Sequence, residues 1–126
     1  SSAASDVYKR QALERRLADP DSDVSALLPV LRRALAERVV HPALHPDAPM
    51  TVLSTDRSDC VILRRSRGGE TLVAVHNVTS ARLSFRLRGL GGDLNQPWAD
   101  CLSGHVFEPH QSHSLEPYAV HWLVQP

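Results

Sequence analysis

The 126-residue sequence predicts a mainly β fold, a small antiparallel β-sandwich preceded by one amphipathic helix. Three observations predict this fold class. Apolar residues recur at helical spacing most clearly between Val24 and Val39. From Thr51 onward, short runs of β-type residues alternate with turn signals. The helix comes first and the strands follow, so the two kinds of element are segregated along the chain.

The predicted helix follows a break at residues 19–22 and ends before Pro42, because proline cannot continue a helix. Ser22, Asp23 or Ser25 is expected to cap its start. A short helical turn is expected earlier, over residues 12–17. The apolar face of the main helix is formed by Val24, Leu27, Leu28, Leu31, Leu35 and Val39. The opposite face carries Arg32, Arg33, Glu37 and Arg38, and its three arginines are expected to be solvated.

The second half of the chain reads as a series of strands. Gly68 and Gly69 supply a hairpin turn between the second and third of them, and the loop at residues 89–92 is glycine-rich. The strands are predicted at residues 51–53, 60–65, 71–76, 82–87 and 98–102, near Val106, at Leu115 and at 119–124. Leu83, Phe85 and Leu87 are expected to share one face, because side chains alternate along a strand.

Composition excludes several function classes. The chain has 14 basic and 14 acidic residues, and this zero net charge argues against binding to nucleic acid through its phosphates. No apolar run approaches the ~20 residues that span a bilayer, so no membrane partner is expected. Two cysteines, Cys60 and Cys101, are too few for a disulfide scaffold and predict buried thiols in a cytoplasmic protein.

Two features suggest that the chain is part of a longer protein. Residues 1–11 show neither helix nor strand periodicity and look like translated adapter sequence, so they are predicted to be non-native and are excluded from fold reasoning. The leucine face of the helix has no second helix to pack against. Covering it would contribute on the order of 1.5–3 kcal/mol per side chain. We therefore expect a missing upstream layer.

Several segments carry a family resemblance. Residues 16–22 (RLADPDS), 31–38 (LRRALAER) and 41–46 (HPALHP) are followed in order by 72–78 (LVAVHNV), 98–104 (WADCLSG) and 115–123 (LEPYAVHWL). Together they resemble the end of the barrel and the C-terminal domain of the α-amylase family (glycoside hydrolase family 13). The resemblance covers about residues 12–124 and is to the branch that contains sucrose phosphorylase and glucosylglycerate phosphorylase.

The resemblance implies both a domain division and an activity for the parent protein. Residues 12–46 would be the last helix and linker of a truncated (β/α)8 barrel, and residues 47–126 the C-terminal β-sandwich. The parent would be a retaining α-glucosyl phosphorylase or transferase acting on sucrose or a related α-glucoside. Its Asp nucleophile and Glu acid/base lie upstream on barrel strands. This chain is then expected to hold no catalytic, substrate-binding or metal residue, to need no cofactor, to be inactive alone, and to pair with its own barrel.

The polar residues of the chain have simpler interpretations. Asp19, Asp21, Asp23, Asp100 and Glu108 are predicted to be caps or solvated turn residues.

His41 and His45 are four apart, but Pro42 and Pro46 prevent the helix that would align them, and His110 and His113 lack a partner ligand. Ser103-Gly104 lacks the nucleophile-elbow pattern, and residues 89–92 lack a nucleotide-binding context. Residues 77–79 match a glycosylation sequon, which matters only in a secreted eukaryotic protein.

Two other functions remain open from the sequence. Trp98, Tyr118 and Trp122 are interpreted as core or interlayer anchors, but an exposed aromatic row would instead indicate a free-standing carbohydrate-binding module. A protein-interaction domain, with the helix face docking an unrelated partner, is the third hypothesis.

Overall fold

The computed structural model describes residues 2–53, 57–93 and 95–126. By its internal contacts the chain divides into two compact units, Ser1–Ala36 and Glu37–Pro126. The first unit holds helix α1, Ser2–Ala18, and most of helix α2, Asp23–Val40. The second unit holds the end of α2, a short 3₁₀ helix at Pro42–Leu44 and all eight strands.

Helix α1 is a departure from the prediction of a single helix with a short turn before it. It extends over Ser2–Ala18, well beyond residues 12–17. Residues 9–18 are rich in Lys, Arg, Gln, Ala, Leu and Glu, which favour a helix through intrinsic propensity without any apolar stripe. Whether residues 1–11 are native stays a prediction, and Ser1 lies outside the described residues.

Helix α2 confirms the predicted main helix. The Ser22 hydroxyl accepts a hydrogen bond from the Ser25 backbone N–H at 3.2 Å, so Ser22 is the cap. No residue of α2 is buried. Leu27, Leu31 and Leu35, the centre of the leucine stripe, are 54%, 49% and 61% exposed.

All strand pairs are antiparallel, and they form two sheets. The larger sheet has the order β1-β2-β3-β8-β5-β6, and β4 pairs with β7 in a second, two-stranded sheet. The strands are β1 Met50–Val52, β2 Cys60–Arg67, β3 Glu70–Asn77, β4 Leu83–Phe85, β5 Trp98–Asp100, β6 Val106–Phe107, β7 His113–Leu115 and β8 Val120–Val124.

The β2–β3 hairpin forms where the glycines predicted it. Arg67 pairs with Glu70 across a two-residue turn. Gly68 and Gly69 both have positive φ, at 59° and 80°. Two successive left-handed residues are what the tight hairpin turn matching the twist of the strands requires, and glycine adopts them without steric cost.

The six-stranded sheet is covered on both faces. On one face, Val73 and Val75 of β3 and Leu123 of β8 pack with Phe85 and Leu115 of the two-stranded sheet. On the other face, Leu72 and Ala74 pack against Ala43 and Leu44 of the 3₁₀ helix. Residues 72–75 of β3 are therefore buried without interruption. The prediction of a small, mainly β, antiparallel sandwich after a helical segment is confirmed.

Strand β4 is shorter than predicted. It ends at Phe85, because β7 pairs with only three of its residues. Phe85 and Leu87 still share the buried face that alternation predicted, and Leu83 is partly buried. Leu90, in the glycine-rich loop, is also a core residue at 1% exposed. Within the described residues, no helix is long and apolar enough to cross a membrane.

Two leucine-to-alanine changes separate the core from the leucine stripe. We expect Leu123→Ala, at a fully buried position, to lower the free energy of unfolding of the sheet unit by about 2–5 kcal/mol, because it leaves a cavity. Leu35→Ala, at a position 61% exposed, should change the stability by less than about 0.5 kcal/mol. Urea denaturation of the two variants measures both values. Equal losses in the two would contradict the described burial.

Candidate functional site

Among the described residues, the most buried charged group is the Asp100 carboxylate, at the end of β5. The residue is 1% exposed. One carboxylate oxygen accepts backbone N–H groups of Leu102 and Trp122, at 3.0 and 2.9 Å. The other oxygen accepts hydrogen bonds from His121 Nδ1 at 2.7 Å and from the Ser103 hydroxyl at 2.6 Å. Asp100 therefore ties the β5–β6 hairpin to strand β8.

The surroundings of Asp100 set its charge state. Burial by itself raises the pKa of the Asp100 carboxyl, but the hydrogen bonds from His121, Ser103 and the two backbone N–H groups outweigh it. They hold the pKa below the ordinary value of 3.8. The carboxylate is thus ionised at neutral pH and has four donors. The sequence offered a cap or a solvated turn residue for Asp100, and its bonds to Leu102 and Ser103 match the first of these two interpretations.

Asp100, His121 and Ser103 are the residue types of a hydrolase triad, but their arrangement is different. In a triad the serine hydroxyl donates to the histidine, which then removes its proton. Here the Ser103 hydroxyl and His121 both donate to Asp100, so no base is aimed at the hydroxyl. The cluster cross-links two strands and has no activated nucleophile.

A second polar cluster surrounds His41, one residue after α2 ends. His41 Nδ1 lies 2.9 Å from a Glu70 carboxylate oxygen, and Nε2 lies 3.0 Å from a Glu37 oxygen. The other Glu70 oxygen accepts the Ala43 backbone N–H at 3.1 Å. Both ring nitrogens therefore face carboxylates, and the end of α2 is joined to the start of β3.

Glu37 has a role that the sequence analysis did not assign. The sequence placed it on the polar face of α2, and in the structure its side chain is 15% exposed and contacts His41, four residues later. The spacing of Glu37 and His41 was a readable signal, since residues four apart lie on one side of a helix. The candidate metal ligands in the sequence were pairs of histidines, and they did not include this pair of a glutamate and a histidine.

The other histidines that the sequence singled out lie apart from this cluster. His45 is exposed and its Nδ1 accepts the Asp47 backbone N–H at 3.1 Å. His113 Nε2 lies 2.9 Å from the Glu108 carbonyl oxygen. The His113 ring packs on Phe107, with ring centroids 4.8 Å apart. His110 has a left-handed backbone, with φ of 67°.

The three aromatic residues are not displayed as a row. Trp98 is a core residue, 2% exposed. Trp122 packs on the other face of the sheet, against the apolar residues around Leu72 and Ala74. Tyr118 is 66% exposed. These positions are consistent with the interpretation of the two tryptophans as anchors. The same interpretation of Tyr118 is wrong, because its ring is exposed.

Asn77 and the two cysteines, which the sequence also singled out, have structural roles. Asn77 is 2% exposed, and its amide donates to the Ala81 and Glu116 carbonyls at 2.7 and 2.9 Å, so the sequon is not accessible. Cys60 and Cys101 are both thiols; Cys60 is buried as predicted, whereas Cys101 is only partly buried. Burial raises the pKa of the Cys60 thiol, which makes it a poor nucleophile.

The architecture is shared with enzymes of the α-amylase family. An α-amylase from Anoxybacillus matches with a TM-score of 0.65 and 15% identity, covering 85% of this chain and 24% of that one. Trehalulose synthase MutB from Pseudomonas mesoacidophila MX-45 matches with a TM-score of 0.63 and 23% identity, covering 90% of this chain and 19% of that one. At these identities the comparisons show the fold.

One curated relative adds a sequence match. A glucosylglycerate phosphorylase from Allomeiothermus silvanus is 33% identical over 72 residues, which are 57% of this chain and 13% of that protein. No family model matches the chain. The resemblance to the α-amylase family (glycoside hydrolase family 13), indicated by the sequence motifs, is supported by these findings. The chain spans about an eighth of the length of that relative and a quarter or less of the solved structures.

The buried Asp100 predicts an acid-dependent stability. Its lowered pKa means that its contribution is present above the unfolded-state value near 3.8 and is lost as the pH falls through the lower folded-state value. We expect Asp100→Asn to lower the free energy of unfolding at pH 7 by about 2 kcal/mol and to flatten its decline in acid. Urea titrations across this pH range measure both. Asp47→Asn, whose side chain is 82% exposed, is the control and should keep the wild-type profile.

Proposed function

We propose that this chain is the C-terminal part of a carbohydrate-active enzyme of the α-amylase family. The parent would be a retaining α-glucosyl phosphorylase or transferase acting on sucrose, glucosylglycerate or a related α-glucoside, with phosphate as acceptor. The observation that carries the proposal is the 33% identity with a glucosylglycerate phosphorylase over 72 residues. The shared fold with a trehalulose synthase, a second sugar-converting enzyme, supports the same class.

The role of this segment in the proposed enzyme is structural. A retaining mechanism needs one carboxylate free to attack the sugar and a second group to act as acid and base. Asp100, the one buried aspartate or glutamate of the described residues, has both oxygens committed to four donors. In the proposal, α2 closes the catalytic barrel, the sandwich completes that enzyme, and the catalytic carboxylates lie upstream.

The leucine stripe of α2 supports a partner that is a barrel layer. Leu27, Leu31 and Leu35 are about half exposed, and they follow each other at four-residue spacing. Such a contiguous apolar surface on a helix normally faces a packed layer. The proposal assigns that layer to the upstream part of the same polypeptide. The protein would act in the cytoplasm, which agrees with two cysteines that are both thiols.

The activity test compares this chain with the product of the longer reading frame that contains it. We expect the longer protein to release glucose 1-phosphate from sucrose or glucosylglycerate in the presence of phosphate, and this chain alone to release none. The measurement is a coupled assay for glucose 1-phosphate. Turnover by the chain alone, or a longer protein that acts on no α-glucoside, would sink the proposal.

The leucine stripe can be tested in that longer protein. Leu31→Asp places a charge where the barrel layer is proposed to lie. It should lower the melting temperature by several degrees and reduce the folded, active fraction, because an unpaired buried charge is costly. Ala36→Asp, at an exposed position of α2 outside the stripe, is the matched control and should melt close to wild type. Equal behaviour of the two variants would argue against a covered stripe.

A further inference from the structure

The cluster around His41 contains a third kind of ligand atom, the thiol of Cys101. A Glu37 carboxylate oxygen, a ring nitrogen of His41 and Cys101 Sγ all lie within 4.8 Å of one another. Glu37 and His41 come from the last turn of α2 and the residue after it, and Cys101 directly follows β5. The fold thus brings Glu37 and His41, which are four residues apart, together with Cys101, which lies 60 residues after His41.

From this geometry we propose that Glu37, His41 and Cys101 bind a zinc ion. Thiolate, imidazole and carboxylate are the three side-chain groups that zinc takes in proteins, and a thiolate disfavours magnesium and calcium. Tetrahedral bonds of about 2.0–2.3 Å to zinc place the ligand atoms about 3.3–3.6 Å apart, so the widest gap has to close by up to about 1.5 Å. Water completes the tetrahedral set.

Glu70 provides an independent reason to assign a metal to this cluster. Its carboxylate lies 2.9 Å from His41 Nδ1 and is itself fixed by the Ala43 backbone N–H. Zinc-binding histidines typically donate their second ring N–H to a carboxylate in this way, which fixes the ring and the tautomer. His41 Nε2 is then the nitrogen aimed at Glu37 and available to a metal.

Charge and proton balance are consistent with zinc. Both ring nitrogens of His41 lie within hydrogen-bond distance of carboxylate oxygens. Zinc binds the lone pair of Nε2 and the thiolate of Cys101, so the thiol proton and any proton on that nitrogen pass to solvent. The bound ion then faces one thiolate and one carboxylate, so its two charges are neutralised by Cys101 and Glu37.

The histidine spacing had predicted no metal site, because Pro42 prevents a helix that would align His41 with His45. The proposed ligand set avoids that obstacle, since Glu37 precedes His41 within α2. All the residues involved lie within the unit Glu37–Pro126. The zinc site stands on this unit alone and does not depend on the proposed enzyme.

Cobalt and zinc titrations of the purified, tag-free chain test the site. We expect one equivalent of Co²⁺ to give tetrahedral visible bands with a thiolate-to-cobalt charge-transfer band, and Zn²⁺ to displace it. Glu70→Gln should weaken zinc binding about 10–100-fold, and His41→Gln or Cys101→Ser should weaken it further. His45→Gln, an exposed histidine of the same loop, is the matched control and should bind as wild type.

A measurement on the wild type covers the case in which the variants fail to fold. Iodoacetamide labelling, located by peptide mass, should be slowed at Cys101 by one equivalent of zinc and unchanged at the buried Cys60. Cobalt binding without a thiolate band, a band that persists in folded Cys101→Ser, or labelling of Cys101 that zinc does not slow would overturn the proposal.

Discussion

The structure depends on strand β3 being covered on both faces. Its residues 72–75 are buried in succession, and this requires a two-stranded sheet on one side and the 3₁₀ helix at Pro42–Leu44 on the other. A one-residue slip would move every side chain of β3 to the opposite face and out of the core in which it packs, so this burial specifies the register of β2 and β8. The same constraint brings the end of α2, and with it His41, to Glu70 at the start of β3.

The two buried polar residues of the described sheet unit, Asp100 and Asn77, each have several hydrogen-bond partners. Asp100 is ionised below the surface because two backbone N–H groups and two side chains donate to it. Asn77 is buried because both its amide and its carbonyl are bonded, the latter to the Thr79 backbone N–H at 2.9 Å. Such saturated groups specify one arrangement of hairpins and strands, and they leave no reactive atom.

The two units differ in what they bury. In the sheet unit a continuous core surrounds β3. In helices α1 and α2 no described residue is buried, and the leucine stripe of α2 is about half exposed. The end of a larger enzyme would have both features, an apolar helix stripe that awaits a partner and a sandwich with a complete core. The exposed stripe and the sequence match to a phosphorylase therefore support the same proposal.

The sequence alone determined the elements with local signals. Periodicity predicted α2, two glycines predicted the β2–β3 turn, and alternation placed Phe85 and Leu87 on a buried face. Tertiary structure decided what local patterns do not encode: the burial of Asp100, the turning of Glu37 toward His41, and the approach of Cys101 to both. The physical reason is that a charged residue reads as solvated until its partners are known. Those partners lie up to 64 residues away in sequence, and only the closed sheet brings them into contact.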